Sequence, residues 1–422
     1  LLRVAGDTPL VLVIGAKLIQ DKEIDPRLLG QDRDFQHIVF SRYQEAIIGD
    51  VCHDIDRKLC RDLLQILSAT MPADSKNADF IHATAQILNV EDYQIRRAIN
   101  SLKSAGILIQ QGYTLRIVPD LLSDHILREA CIGQDGEPTG YADHIYEAFR
   151  KICPENIISN MGELDWQIRS SGSRSTLMDN IWADIEDKVS RGTNLQRVRI
   201  LDIIRRNAYF LPDRSLELVE YVMRNPSEVD EGLDGMYIFR DLDVRKKLAP
   251  VFREIAYHIE YLPRCCDLLW ELARGMPDDI ASEPEHPIRI LANFASYRSP
   301  QPVQSAVLDG VSRWLMEPDA YDRINSLLGV LNPILARAGT DFSLQGLELT
   351  VNRYRVQYDE TRPLRERAIK LLVDLTRSGV PRVILAALDS LEAALRPPLH
   401  RREIPSDEMD AWYPEYVKLL EV

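Results

Sequence analysis

Apolar residues recur every three or four positions through most of this chain, which predicts helices; only a few short stretches alternate as strands do. Between Ile55 and Ala69, the side chains of Leu59, Leu63, Ile66 and Leu67 share one helical face. Met71-Pro72-Ala73-Asp74 breaks that pattern. Phe80 to Leu88 reads as a second, short helix, and Val90-Glu91-Asp92 opens a third that runs to Leu102. Ile107 to Gln110 and Tyr113 to Val118 then alternate as two strands of a hairpin turning at Gly112. The second strand stops at Pro119. Asp120 is placed as the cap of a helix that carries Leu121, Leu122, Ile126 and Leu127. Upstream, Phe35 to Cys52 reads as a leading helix. Thr8 to Gln20 fits one apolar helix with Pro9 in its first turn, or else a strand ending in a glycine turn. A dinucleotide fingerprint would need more than the single Gly15, so the helix is the preferred reading.

Beyond a polar linker at Gln134 to Gly140 the helical period dominates to the end, and two segments resemble each other. Arg197 to Pro226 and Leu248 to Pro277 each run from a helix through an aromatic residue and Leu-Pro into a second helix closed by proline. Pro212 and Pro226 are 14 residues apart, as are Pro263 and Pro277, and the units are offset by 51. Proline starts a helix well and cannot continue one, so this spacing encodes a helical hairpin. Looser copies follow at Pro302 to Pro318 and Pro381 to Pro397. The expected fold is mainly α. A helical segment over 1–34 precedes a winged-helix domain over 35–131 with a small β-hairpin wing. A HEAT/TPR-like α-solenoid without sheet fills 141–422.

Composition narrows the function. The 422 residues carry a net charge of −14, which disfavours a general nucleic-acid binder, since such binding rests on basic phosphate contacts. Acids also outnumber bases between Gln36 and Cys131, and Glu91 and Asp92 open the third helix, where a DNA reader would gather Lys and Arg. No apolar run approaches the ~20 residues of a membrane span. The six cysteines form no C-x-x-C, so reduced thiols in a cytoplasmic protein are expected, and no metal site is expected. There is no G-x-x-x-x-G-K-[ST], G-x-S-x-G or H-E-x-x-H, so no catalytic residue is assigned. His53 and His125 stand near the ends of the winged-helix segment. The five tryptophans sit among Leu, Ile and Val, as core residues do.

The order of helix, winged helix and proline-punctuated helical hairpins resembles the region that follows the P-loop domain in bacterial STAND ATPases, relatives of NLR immune receptors. Gly6-Asp7-Thr8-Pro9-Leu10 is similar to the family's G-x-P segment, whose proline packs near the adenine of bound nucleotide. Val118-Pro119-Asp120 stands where the family carries Met-His-Asp, with Pro119 in place of the histidine that touches the β-phosphate of ADP and Asp120 matching the aspartate. The resemblance implies nucleotide-proximal roles for Pro9, Pro119 and Asp120. It also implies ATP or ADP with Mg on an ATPase domain upstream of Leu1, no cofactor in this chain, and no enzymatic activity of its own. Implied partners are a protein ligand on the solenoid, such as a phage protein, and further copies of the parent in an antiviral oligomer. Two alternatives stay open: a winged-helix regulator with a helical sensor, and a HEAT-like scaffold.

Overall fold

The computed structural model describes residues 55–227, 238–336, 338–345, 348–356 and 358–395, with Ala16, Gln20, Ser41, Trp412, Tyr413, Glu415, Val417 and Leu419. Ala16, Gln20 and Ser41 are helical; the rest of the expected helices at 8–20 and 35–52, Pro9 included, lies outside the described residues. The fold is mainly α, and no described helix is long and apolar enough to cross a membrane. The chain divides into two compact units, Leu1–Asp187 and Lys188–Val422.

In the first unit, α1 (Arg57–Thr70) starts where the Asp56 carboxylate accepts from the Leu59 N–H, and it buries Leu63, Leu64, Ile66 and Leu67. The break at 71–74 holds more than a turn. Ala73–Asp74 is a short strand, β1, that the sequence pattern does not reveal. It is followed by α2 (Ala78–Leu88), capped by Asn77, and α3 (Asp92–Ser104), where the Gln94 side chain accepts from the Glu91 N–H at 2.9 Å. Strands β2 (Leu108–Gln111) and β3 (Thr114–Ile117) form the expected hairpin. Gly112, at φ +62°, supplies the left-handed residue that this tight turn requires. β1 adds to β3 with Ala73 opposite Leu115, giving the antiparallel order β1-β3-β2. Leu108, Leu115 and Ile117 face the core.

Helices α4 (Asp120–Cys131), α5 (Tyr141–Phe149) and α6 (Pro154–Ser170) complete this core, with α1 packed on α4 and α6. Phe149 on α5 meets Phe80 on α2 at a ring-centroid distance of 5.4 Å. The segment expected as a linker at 134–140 is a compact turn: Gly133 N–H donates to Glu137 O at 2.8 Å and Thr139 Oγ1 to Ala130 O at 2.6 Å. The decisive polar contact comes from α6. Asn156 Nδ2 donates to Thr70 O and Pro72 O at 3.0 and 2.9 Å, and Asn160 Nδ2 to Ala69 O and Met71 O at 3.0 and 2.8 Å. Two amides one helical turn apart thus satisfy four consecutive carbonyls at the end of α1. Helix α7 (Asp179–Arg191) follows, with Asp184 accepting from Tyr146 Oη at 2.7 Å.

The second unit opens with two hairpins that match the repeated segments. α8 (Asn194–Asn207) and α9 (Pro212–Arg224) form one; α10 (Asp241–Ile255) and α11 (Leu262–Arg274) form the other. Pro212 is the first residue of α9 and Pro263 the second of α11, where a missing N–H costs nothing. α12 (Pro287–Phe294) and α13 (Gln301–Trp314) repeat the device. Side chains tie equivalent helices at a near-constant interval. Lys247 reaches Asp202 at 2.8 Å, 45 residues away, and Arg264 grips Glu220 through two 2.8 Å bonds, 44 away. Arg313 meets Asp267 at 2.8 Å, 46 away, and Trp270 stacks on Trp314 at 5.6 Å and 17°. Trp182, Trp270, Trp314 and Trp412 are buried, and Trp166 is partly so.

The expectation of helix alone beyond 141 fails at one place. After α14 (Ile324–Gly329) and α15 (Asn332–Leu335), an antiparallel hairpin forms from β4 (Ala338–Gln345) and β5 (Glu348–Arg355). Its sequence alternates over Thr340 to Leu344 and Leu349 to Val351, the period of a strand rather than of a helix. α16 (Tyr358–Thr376) and α17 (Pro381–Leu395) follow. Arg365 on α16 is 0% exposed; it donates to both Glu415 oxygens at 2.6 and 3.1 Å and to Ile334 O at 3.0 Å, under the Trp412 ring at 4.7 Å. A buried ion pair of this kind adds little over a well-packed apolar pair, whereas breaking it strands a charge. Arg365→Met is therefore expected to cost about 3–5 kcal/mol in urea unfolding. Arg365→Met with Glu415→Leu should recover most of that loss, and a double variant as unstable as the single would refute the argument.

Candidate functional site

Where α4 begins decides the site beside the two nucleotide-proximal candidates. Pro119, at φ −78° and ψ 158°, keeps an extended backbone and takes the N-cap position itself, so Asp120 becomes the first helical residue. The expected side-chain cap by Asp120 is not made. Its carboxylate instead accepts from Arg116 Nε and Nη2, both at 2.9 Å, while still lying in the first turn where the helix dipole favours an anion. Both side chains of this pair face solvent, so the pair orients more than it stabilises.

Asp120 stands at the rim of a cleft of about 440 Å³ between α4 and α6, within the first unit. Ser68, Met71 and Pro72 line it from α1 and the residues that follow it; Ser123, Asp124 and Leu127 come from α4, and Asn160, Glu163, Leu164 and Gln167 from α6. The two asparagine amides of α6 hold the 69–72 backbone in place, so hydrogen bonds as well as the burial of Met71 fix the wall made by Met71 and Pro72. Burial, then the nearby Glu163 and Asp120 charges, push the Asp124 carboxyl up to about 6. Of the cleft's residues the sequence singled out Asp120 alone. Asp124 is one helical turn further on, a spacing visible in hindsight, but Glu163 comes from another helix and no local signal marks it.

The other surface of interest is α3. Tyr93 is 66% exposed and forms one outward stripe with Arg96, Arg97 and Asn100. At its start Asp92 Oδ1 lies 3.3 Å from His82 Nδ1, and beside the hairpin Lys76 sits 3.7 Å over the Tyr113 ring. His125 Nε2 lies 3.3 Å from Ser41 Oγ and 3.5 Å from Glu129 Oε1, an internal role; His53 is outside the described residues. Burial raises the thiols of Cys131 and Cys266 to about 12 and that of Cys153 to about 11, and Cys265 moves the same way, so none is a thiolate nucleophile near neutrality. Among the described residues no group of three His, Cys, Asp or Glu could hold a metal ion. No family model matches the chain, and no curated protein or solved structure matches it either.

The raised Asp124 carboxyl has a thermodynamic consequence. Its folded-state value lies above the ordinary value of 3.8, so the folded chain holds this proton more tightly than the unfolded one. That contribution is fully present below the ordinary value and is lost as pH rises through about 6. Asp124→Asn removes the loss. The variant is expected to be more stable than the parent by about 1–2 kcal/mol at neutral pH after solvent screening, with the difference closing towards about pH 4. Urea unfolding of both proteins across that range checks it, and a difference independent of pH would contradict it.

Proposed function

We propose that this chain is the switch-and-sensor portion of a STAND-type ATPase of prokaryotic antiviral defence, its first unit carrying a winged helix and its second a HEAT-like solenoid. One observation carries the reading. A helix–strand–helix–helix–hairpin order, with its strands arranged β1-β3-β2, leads within the same chain into proline-started helical hairpins tied at 44 to 46 residues. The second unit also bares apolar side chains at its turns, Tyr257 at 69% and Met316 at 84% exposed, which suits a surface that meets a protein ligand.

In this reading the winged helix packs on an upstream ATPase domain in a closed state, and a protein ligand on the solenoid favours an open, self-associating state. The ligand moves that equilibrium only as far as it binds the open form more tightly. The cleft beside Asp120 does not fit a nucleotide phosphate: its lining supplies three carboxylates, and the guanidinium of Arg116 is already engaged by Asp120. Every phosphate contact is therefore assigned to the upstream domain, and Pro119 and Asp120 shape the junction between the hairpin and α4.

A second reading, a winged-helix regulator of duplex DNA, draws on the exposed Tyr93, Arg96, Arg97 and Asn100 stripe, residue types that read base edges. Asp79 in the first turn of α2 and Glu91 and Asp92 at the start of α3 offset those charges, which favours the first reading. The two separate cleanly. In a parent that includes the upstream ATPase domain, Asp120→Ala removes a first-turn anion and the partner of Arg116. That loosening, about 0.3–1 kcal/mol, should raise ligand-free oligomer roughly two- to five-fold by light scattering. Unchanged oligomer, together with salt-sensitive duplex binding abolished by Arg96→Ala/Arg97→Ala, would sink the switch reading in favour of the regulator.

A further inference from the structure

The cleft between α4 and α6 holds groups that neither reading above uses. Asp124 and Glu163 line it without a hydrogen-bond or ion-pair partner among the described residues. Ser123 lines it too; it is 8% exposed, and its hydroxyl has no partner among the described residues. These acceptors sit beside buried apolar side chains, Met71, Leu127 and Leu164. At the rim, Asp120 already accepts a guanidinium in the two-bond form, from Arg116.

We infer that this cleft is a binding site for a guanidinium on an aliphatic stem, as an arginine side chain carries. The planar fork of a guanidinium presents several N–H donors at once, which suits carboxylates arriving from two different helices and a serine oxygen in the same lining. The stem packs on Met71, Leu127 and Leu164, where a compact hydrated cation would gain nothing. A divalent ion is the poorer match, since the described residues offer no cluster that could hold a metal ion. The occupant also relieves a standing cost, because Asp124 is now both desolvated and faced by like charges.

Binding is therefore linked to pH. The groups facing Asp124 are Asp120 on its own helix, Glu163 on α6 and Arg116 on β3, the last already paired; α1 contributes Ser68 to the lining, and the 71–72 wall contributes Met71 and Pro72. A cation binds the ionised carboxylate, so complex formation near pH 6 expels a proton and affinity falls as pH drops below that value. This inference stands apart from the switch reading and requires no nucleotide.

The test is calorimetric titration of the 422-residue chain with agmatine, with Nα-acetyl-arginine methylamide, and with inorganic phosphate as the opposite charge. Both guanidines are expected to bind at neutral pH and phosphate not at all. Tighter binding of the acetylated methylamide assigns the site to an arginine residue of a protein; tighter binding of agmatine assigns it to a free guanidine. Near pH 6 the heat should vary with buffer ionisation enthalpy, reporting the released proton. Asp124→Asn and Glu163→Gln should each weaken binding roughly ten-fold or more. Both substitutions remove like-charge repulsion, so neither is expected to unfold the chain. Failure of both guanidines to saturate, or affinity in both variants unchanged from that of the parent chain, overturns the inference whatever becomes of the switch reading.

Discussion

A helix that ends inside a protein leaves its last carbonyls without partners, and the first unit is organised around one solution to that problem. Ala69, Thr70, Met71 and Pro72 end α1 and begin the strand connection, and all four carbonyls are met by Asn156 and Asn160. Left unmet, a carbonyl cut off from water costs about 1–3 kcal/mol, and part of that penalty applies at the three half-buried bonds, those to Ala69, Thr70 and Met71. Meeting them fixes α6 against α1, sets the path of the chain into β1, and holds Met71 and Pro72 as a wall. The three-stranded sheet and the acidic cleft both lie downstream of this contact.

The parts of the fold legible in the sequence were those whose physics is local. The face of α1, the start of α3, the Gly112 turn and the prolines that start α9 and α11 are set by neighbours within a few residues, and the chain adopts them as read. β1 was missed because two residues, Ala73 and Asp74, are too few to show a period; only pairing with β3 makes them a strand. β4 and β5 alternate visibly but were absorbed into a helical pattern that prevailed on either side. Asp120 illustrates a one-residue error. Its type is right for a cap, yet the extended backbone of Pro119 occupies the cap position and turns the carboxylate towards Arg116.

The site was legible only at its edge. Asp120 drew attention through a family-like motif, whereas the groups that give the cleft its character, Asp124 and Glu163, are brought together by the packing of α4 on α6. Charge reads differently at the two scales. The chain's overall excess of acid argued against nucleic acid, but the structure distributes its charge unevenly: three carboxylates line the cleft, while the outer stripe of α3 shows Arg96 and Arg97 beside Tyr93. A ligand for one surface is therefore a poor ligand for the other, and the two can be probed independently.

The stacked indoles of Trp270 and Trp314 join two successive helical hairpins across a 5.6 Å gap, with Trp270 Nε1 3.4 Å from Glu317 Oε2 and Trp314 Nε1 2.8 Å from Asp267 Oδ1. Two chromophores held nearly parallel at that distance share their excitations, and the sign and strength of the resulting near-ultraviolet circular dichroism depend on their mutual angle. Sliding of one hairpin over the next would be written directly into that spectrum. The second unit thus carries its own optical gauge of how these two hairpins lie on each other, readable without label or substitution.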